Sequence, residues 1–124
     1  MENSQKIRSF TDLIAWKEAH KLVIFVYKIT KQFPKEELYA LGDQMRRCAV
    51  SISSNIAEGF SRKTNKEKAQ FYSMARGSIT ELQNQLMVAR DVEYITKEKF
   101  KEAACLSVLV HKLVNGLMKK VFSI

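Results

Sequence analysis

Apolar residues recur at three- and four-residue steps through four long stretches of this chain, and this spacing restricts the fold more than any other feature. Such steps place the apolar side chains along one face of a helix in each stretch. The stretches cover about residues 12–31, 38–57, 65–91 and 97–121, and no convincing strand pattern lies between them. Pro34, the only proline, falls in the gap between the first two. The sequence therefore predicts an all-α protein.

Residues that favour helix ends support these boundaries. Thr64 and Glu67 have the spacing of a capping box at the start of the third helix. Thr96 is a suitable N-cap for the fourth helix. Gly59 suits a left-handed position after the last turn of the second helix, which predicts that the helix ends there.

The connections between the predicted helices contain only a few residues. Helices of about 20 residues joined by such short loops must fold back on their neighbours. We therefore expect an antiparallel up-down-up-down four-helix bundle. Residues 11–124 are expected to form this single domain, since a chain of this length supports one core. Residues 1–10 are expected to form a loosely ordered N-terminal arm.

Positive charge is the main compositional signal. The chain has 21 Lys and Arg against 13 Asp and Glu, a net charge of +8, which favours polyanionic partners such as RNA or DNA. In the predicted bundle, candidate nucleic-acid-binding residues gather at one pole: Lys6, Arg8, Arg62, Lys63, Lys66, Lys68, Lys119 and Lys120. The alternative is a solvated helix-end surface, since the helix dipole also favours lysines near helix C-termini.

A line of polar residues follows the apolar face of the second helix. If the second and third helices pair about the Arg62 to Thr64 turn, Arg46 and Arg47 lie opposite Glu81, and an arginine to Glu81 ion pair is expected. The predicted polar network consists of Arg46, Arg47, Ser51, Asn55, Glu58, Ser78 and Glu81. Its structural interpretation is a network that fixes helix register, and its functional alternative is a pocket or partner-binding strip.

Several large apolar residues lie outside the core stripes on a helical wheel. The candidate oligomer interface consists of Ile14, Phe25, Ile29, Val108 and Leu109, with Met74, Met87 and Val88 as further outward residues. Single surface hydrophobes are normal, but a set of this size predicts that the chain self-associates.

Catalytic and metal-binding patterns are not evident in the sequence. His20 and His111 lie on different helices without ligands at metal-site spacing, and Cys48 and Cys105 lack the spacing of a zinc or redox motif. We expect no enzyme activity, no metal and no cofactor. No apolar run reaches the roughly 20 residues of a membrane span, and no signal-peptide core is present, so we expect no membrane contact and a cytoplasmic location.

Three segments resemble a known family. They are FTDLIAWKEA (residues 10–19), QMRRCAVSISSNIAEG (44–59) and FYSMARGSITEL (71–82). These segments are similar to those of the bacterial four-helix-bundle proteins encoded in intervening sequences of 23S ribosomal RNA genes, also termed S23-like. The resemblance covers about residues 10–94, and Cys48 stands where the family usually has alanine.

The resemblance implies a bundle that assembles into a ring, as a homopentamer. It also implies a fold similar to the accessory variability determinant of diversity-generating retroelements, a basic pentameric barrel that works with a reverse transcriptase and nucleic acid. On this basis we expect a non-enzymatic oligomer that binds structured RNA or DNA. The alternative is a scaffold or adaptor that binds another protein, such as a reverse transcriptase.

Overall fold

Helices make up the regular structure of the part of the chain that the computed structural model describes, residues 6–122. A 3-10 helix (Phe10–Asp12) is followed by α1 (Ile14–Thr30), α2 (Lys35–Leu38), α3 (Leu41–Ser61), α4 (Asn65–Asp91) and α5 (Lys97–Phe122). Helix α2 is only a single turn after Pro34. The other four α-helices are long, and they correspond to the four helices that the sequence predicts. The all-α four-helix bundle is confirmed.

The chain before α1 is held by a local cap. Ser9 is the N-cap of the 3-10 helix, and its backbone N–H donates to the Asp12 carboxylate at 3.2 Å. The Arg8 backbone N–H donates to the same carboxylate at 2.9 Å, and these two bonds lower the pKa of Asp12. The Phe10 ring packs edge-on against the Trp16 ring, with 5.4 Å between the ring centroids. Residues 1–5 of the predicted arm lie outside the described residues.

The N-caps predicted at Thr64 and Thr96 are confirmed, and the predicted C-cap is wrong. An N-cap at Thr11 or Asp12 is also expected for the first helix, but α1 begins after Leu13, which makes no side-chain cap bond. The Thr64 hydroxyl accepts from the Glu67 backbone N–H at 3.1 Å, and the Thr96 hydroxyl accepts from that of Lys99 at 3.1 Å. Gly59, by contrast, lies within α3, which continues to Ser61, and its φ is not positive. Glycine can be required near a helix end for two reasons: the backbone is left-handed there, or another element approaches it closely. Here the second reason applies.

The four long helices share one apolar core. Helices α1 and α4 each pack against both α3 and α5, so the helices surround a common interior. Its largest fully buried apolar side chains are Leu22, Val26, Met45, Ile52, Ile56, Ile79, Leu82, Leu86, Val110 and Val114. Each such side chain contributes about 1.5–3 kcal/mol through removal from water.

Helices α3 and α4 form the most extensive of these contacts and run antiparallel. The Cys48 thiol reaches the Ser78 carbonyl at the middle of α4, and Gly59 lies against Tyr72, nearer the start of α4. A Cβ at position 59 would lie 2.6 Å from Cε1 of Tyr72, whose ring is buried. Gly59 thus allows α4 to approach the α3 backbone more closely than any other residue would.

Helices α4 and α5 are also antiparallel. Gln83 Nε2 donates to the Ser107 hydroxyl at 3.1 Å, and Arg76 donates to the Asn115 side-chain oxygen at 3.1 Å. These two bonds lie about two turns apart on each helix, in opposite directions along the chain.

Ile29 does not belong to the predicted oligomer interface. It is only 4% exposed and is part of the core. A wheel centred on Trp16 and Val23 places Ile29 outward, but Ile29 follows the fully buried Leu22 by seven residues, which is about two turns, and so lies at the edge of the same buried face. Phe33 and Ile95 belong to the same cluster. Phe25 is half-buried against the core, whereas Ile14 (64% exposed), Val108 and Leu109 are exposed.

The Gly59→Ala variant is expected to unfold at lower urea concentration than the wild type, with a loss of about 1–3 kcal/mol from the new contact with Tyr72. The matched control is Gly77→Ala, because Gly77 is also helical but a Cβ there meets no atom within 4 Å. This control is expected to gain up to about 1 kcal/mol from helix propensity. Equal or greater stability of Gly59→Ala at the same protein concentration would contradict the close-approach account.

Candidate nucleic-acid interface

The term α3–α4 connection is used for residues 62–68, which join α3 to α4 and include the first turn of α4. This segment contains four of the predicted basic residues: Arg62, Lys63, Lys66 and Lys68. Arg62 follows the last residue of α3 and donates to the Glu58 carboxylate at 2.9 Å. Its guanidinium also lies over the Phe71 ring, 4.5 Å from the centroid. Arg62 therefore has a structural role, because it packs the connection onto α4.

Lys68 also has a structural contact. Its ammonium donates to the Phe60 carbonyl at 2.6 Å and lies 3.4 Å from the Gly59 carbonyl, at the C-terminal end of α3. A cation at this position satisfies end carbonyls and opposes the negative end of the helix dipole. Lys63 and Lys66, in contrast, are exposed, and neither forms an ion pair with any residue between 6 and 122. Of these four basic residues, Lys63 and Lys66 are therefore the two that are exposed and form no ion pair within residues 6–122.

The remaining predicted basic residues lie on other elements. Lys6 and Arg8 are exposed on the segment before the 3-10 helix, and Lys119 and Lys120 are exposed in the last turn of α5. Lys119 lines a cleft together with Arg76 of α4. The four remaining basic residues thus belong to the chain start and the end of α5, and the 3-10 helix of the chain start packs against α3. That all eight basic residues share one pole of the bundle stays a prediction.

A seam of small polar residues joins α3 to α4. The Ser51 and Ser78 hydroxyls are 3.0 Å apart, and the Asn55 side-chain amide donates to the Ser51 carbonyl at 2.9 Å. The Cys48 thiol donates to the Ser78 carbonyl at 3.0 Å. Of the predicted polar network, Ser51, Asn55 and Ser78 therefore lie together, with Cys48 as an additional member.

The expected arginine to Glu81 ion pair is absent from the described part of the chain. Arg46 instead donates to the Thr30 hydroxyl at 3.1 Å and to the Leu38 carbonyl at 2.9 Å, which links α3 to α1 and α2. Arg47 pairs with Asp43 one turn earlier, at 3.1 Å. Each arginine thus binds an acceptor on α1, α2 or its own helix α3, and neither pairs with Glu81 on α4. Glu58 likewise pairs within its own helix rather than with the seam.

The buried thiol of Cys48 lies in a site that disfavours its ionisation. Burial, and secondarily the negative charge of Glu81, raises the pKa of Cys48 to about 12. In the unfolded chain this thiol ionises near its ordinary value of 9.0. The raised pKa therefore stabilises the fold fully below pH 9, and this contribution is lost as pH rises from 9 towards 12.

Sequence reasoning missed a polar contact between α4 and α5. Arg76 donates to Asn115 Oδ1 at 3.1 Å, and the Asn115 amide nitrogen lies 3.3 Å from His111 Nδ1. This contact follows from the alignment of α4 with α5. Arg76 lies about two turns before Gln83 on α4, and Asn115 lies about two turns after Ser107 on α5. The register of this pair becomes visible only when the two helices are aligned.

The described residues contain neither a cluster of metal-ligating side chains nor a membrane-spanning helix. Between residues 6 and 122, no group of three His, Cys, Asp or Glu side chains could hold a metal ion. In the same range, no helix combines the length and apolarity needed to cross a bilayer.

Native protein at pH 8 is expected to react with a thiol reagent such as DTNB at one cysteine per chain, Cys105, which is exposed. Cys48 is expected to react only after unfolding, because it is buried and its raised pKa keeps it protonated. Absorbance of the released thiolate in native buffer and in urea measures both classes. In the control, Cys105→Ser should abolish the fast reaction; a fast reaction that survived in this variant would show that Cys48 is accessible.

Comparisons with known proteins agree with this architecture. A sequence model of the family described as "23S rRNA-intervening sequence protein" matches residues 11–116. A crystal structure of a protein of unknown function from the S23 ribosomal protein family of Bacteroides thetaiotaomicron VPI-5482 is similar in fold, with a TM-score of 0.79 and 20% identity. The likeness covers 86% of this chain and 96% of that one. No functionally curated protein matches at a significant level. The chain belongs to the 23S rRNA-intervening sequence protein family.

Proposed function

We propose that this chain is a non-enzymatic binding protein that binds structured RNA or DNA through the connection between α3 and α4. The observation that supports this proposal is that Lys63 and Lys66 are exposed and form no ion pair within residues 6–122. They lie beside Arg62 and Lys68, which make contacts with the fold. The net charge of +8 adds a long-range attraction for polyanions.

The electrostatics of this connection favour phosphate. Helix α4 begins at Asn65, so the positive end of its dipole faces the same connection as Lys63 and Lys66. The negative end of α3 is opposed by the Lys68 ammonium. Phosphate contacts of this kind position a protein on nucleic acid without reading base identity, so we expect weak sequence preference.

We further propose that the chain acts as a homo-oligomer. Exposed apolar residues on three helices support this: Ile14 on α1, Met74, Met87 and Val88 on α4, and Val108 and Leu109 on α5. The family resemblance suggests a homopentamer. An oligomer would present several copies of the basic connection, and linked weak contacts raise overall affinity without any new interaction. We propose a cytoplasmic location for this assembly.

The same apolar residues favour one alternative, a scaffold or adaptor that binds another protein, such as a reverse transcriptase. In that case the positive charge would accelerate encounter but would not define the bound partner. Charge substitutions at the α3–α4 connection separate the two functions, because only nucleic-acid binding depends on them.

The double variant Lys63→Glu/Lys66→Glu is expected to bind a fluorescent RNA hairpin on the order of tenfold more weakly than the wild type at about 0.1 M salt, because two phosphate contacts become repulsive. Fluorescence anisotropy measures the affinity. Arg62 is left unchanged because its packing on Phe71 supports the fold.

A matched control is Lys35→Glu/Lys97→Glu, which changes the net charge equally. Lys35 and Lys97 are exposed first residues of α2 and α5, where a carboxylate is tolerated by the helix dipole. The control is expected to keep most of the affinity. If the Lys63/Lys66 variant bound as tightly as this control, the α3–α4 connection would not be the binding surface.

A further inference from the structure

An open cleft of about 600 Å³ lies between α4 and the last turns of α5. It is lined by Arg76, Asn115, Met118, Lys119 and Phe122. Arg76 is half-buried in its wall and is oriented by the bond from its guanidinium to Asn115 Oδ1. None of the residues that line the cleft is one of the basic residues of the α3–α4 connection, because they come from the middle of α4 and the end of α5.

The positive charge of this cleft is uncompensated. Neither Arg76 nor Lys119 forms an ion pair with another residue between 6 and 122. Arg76 is bound by a neutral amide, so it keeps its full charge, and most of its five N–H donors remain available. A half-buried guanidinium that is oriented but not neutralised is suited to bidentate contact with a phosphate.

The cleft also has an exposed aromatic side chain. Phe122 is 65% exposed beside Lys119, so its ring gains little from packing within the chain. An exposed ring next to cations is the arrangement that single-stranded nucleic acids use, since a base stacks on the ring while the backbone phosphate contacts the cations. An acidic peptide would satisfy Arg76 and Lys119 but would leave the ring without a planar partner.

We propose that this cleft binds one unpaired nucleotide of an RNA or DNA strand. Its phosphate contacts Arg76 and Lys119, and its base stacks on Phe122. The inference rests on the proposed nucleic-acid binding and extends it. The α3–α4 connection holds backbone phosphates of any structured segment, whereas the cleft selects for a neighbouring unpaired segment.

The test compares two RNA hairpins with the same stem, one blunt and one with a short unpaired uridine tail, by anisotropy with the intact oligomer. The wild type is expected to bind the tailed hairpin about tenfold more tightly. Phe122→Ala and Arg76→Gln are each expected to abolish this preference without weakening binding of the blunt hairpin. Phe122→Tyr keeps the ring and is expected to keep the preference.

A 5-iodouridine placed in the tail gives a second readout, because irradiation should cross-link it to the peptide that contains Phe122. Equal affinity of the wild type for the two hairpins, or a cross-link confined to other peptides, would overturn the cleft proposal and leave the α3–α4 surface intact. Binding that requires the tail but is unaffected by Lys63→Glu/Lys66→Glu would overturn the α3–α4 surface alone. Absence of binding to either hairpin would overturn both.

Discussion

The close approach of α3 and α4 is the constraint on which the rest of this structure depends. Gly59 leaves room for the Tyr72 ring against the α3 backbone, where a Cβ would lie 2.6 Å from Tyr72 Cε1. In the same helix pair, the Ser51 and Ser78 hydroxyls meet and the Cys48 thiol reaches the Ser78 carbonyl. The seam is built from small side chains because larger ones would separate the helices. The short connection that follows must then bring Arg62 to Lys68 to one end of the bundle.

The basic residues divide into those that the fold uses and those that it leaves available. Arg46 ties α3 to the end of α1, and Lys68 covers the end of α3. Removing either would leave acceptors unsatisfied, so they are poor reporters of ligand binding. Lys63 and Lys66 make no such contacts and are exposed. The net charge of +8 does not distinguish these two groups of residues.

The sequence predicts those features that depend on local physics. The four long helices follow from apolar periodicity, and the caps at Thr64 and Thr96 follow from residue preferences within one turn. The three segments that resemble the family lie on the 3-10 helix with α1, on α3 and on α4. Errors arose where one local pattern has two physical causes, as at Gly59, where a glycine that permits close packing resembles one that ends a helix. Long-range contacts were the other source of error.

A helical wheel shows which face a residue occupies but not what covers that face. The buried face of α1 is wider than a wheel centred on Trp16 and Val23 suggests, because Ile29 lies two turns after the buried Leu22 and belongs to the same cluster. The expected arginine to Glu81 ion pair was wrong because both arginines bind other acceptors. Arg47 pairs with Asp43, and Arg46 donates to the Leu38 carbonyl. The Arg76 to Asn115 contact requires the α4–α5 register, which no single helix contains.

The central proposal is that exposed basic residues bind nucleic-acid phosphates. Its most direct test is to measure how the affinity for a structured RNA depends on salt concentration. Light scattering in the same buffers records the mass of the particle. The account predicts an oligomer whose logarithm of affinity falls linearly with the logarithm of salt concentration. A slope of about −2 or steeper is expected if at least Lys63 and Lys66 each neutralise a phosphate. An intact oligomer whose affinity did not change with salt, or that did not bind at low salt, would contradict the account.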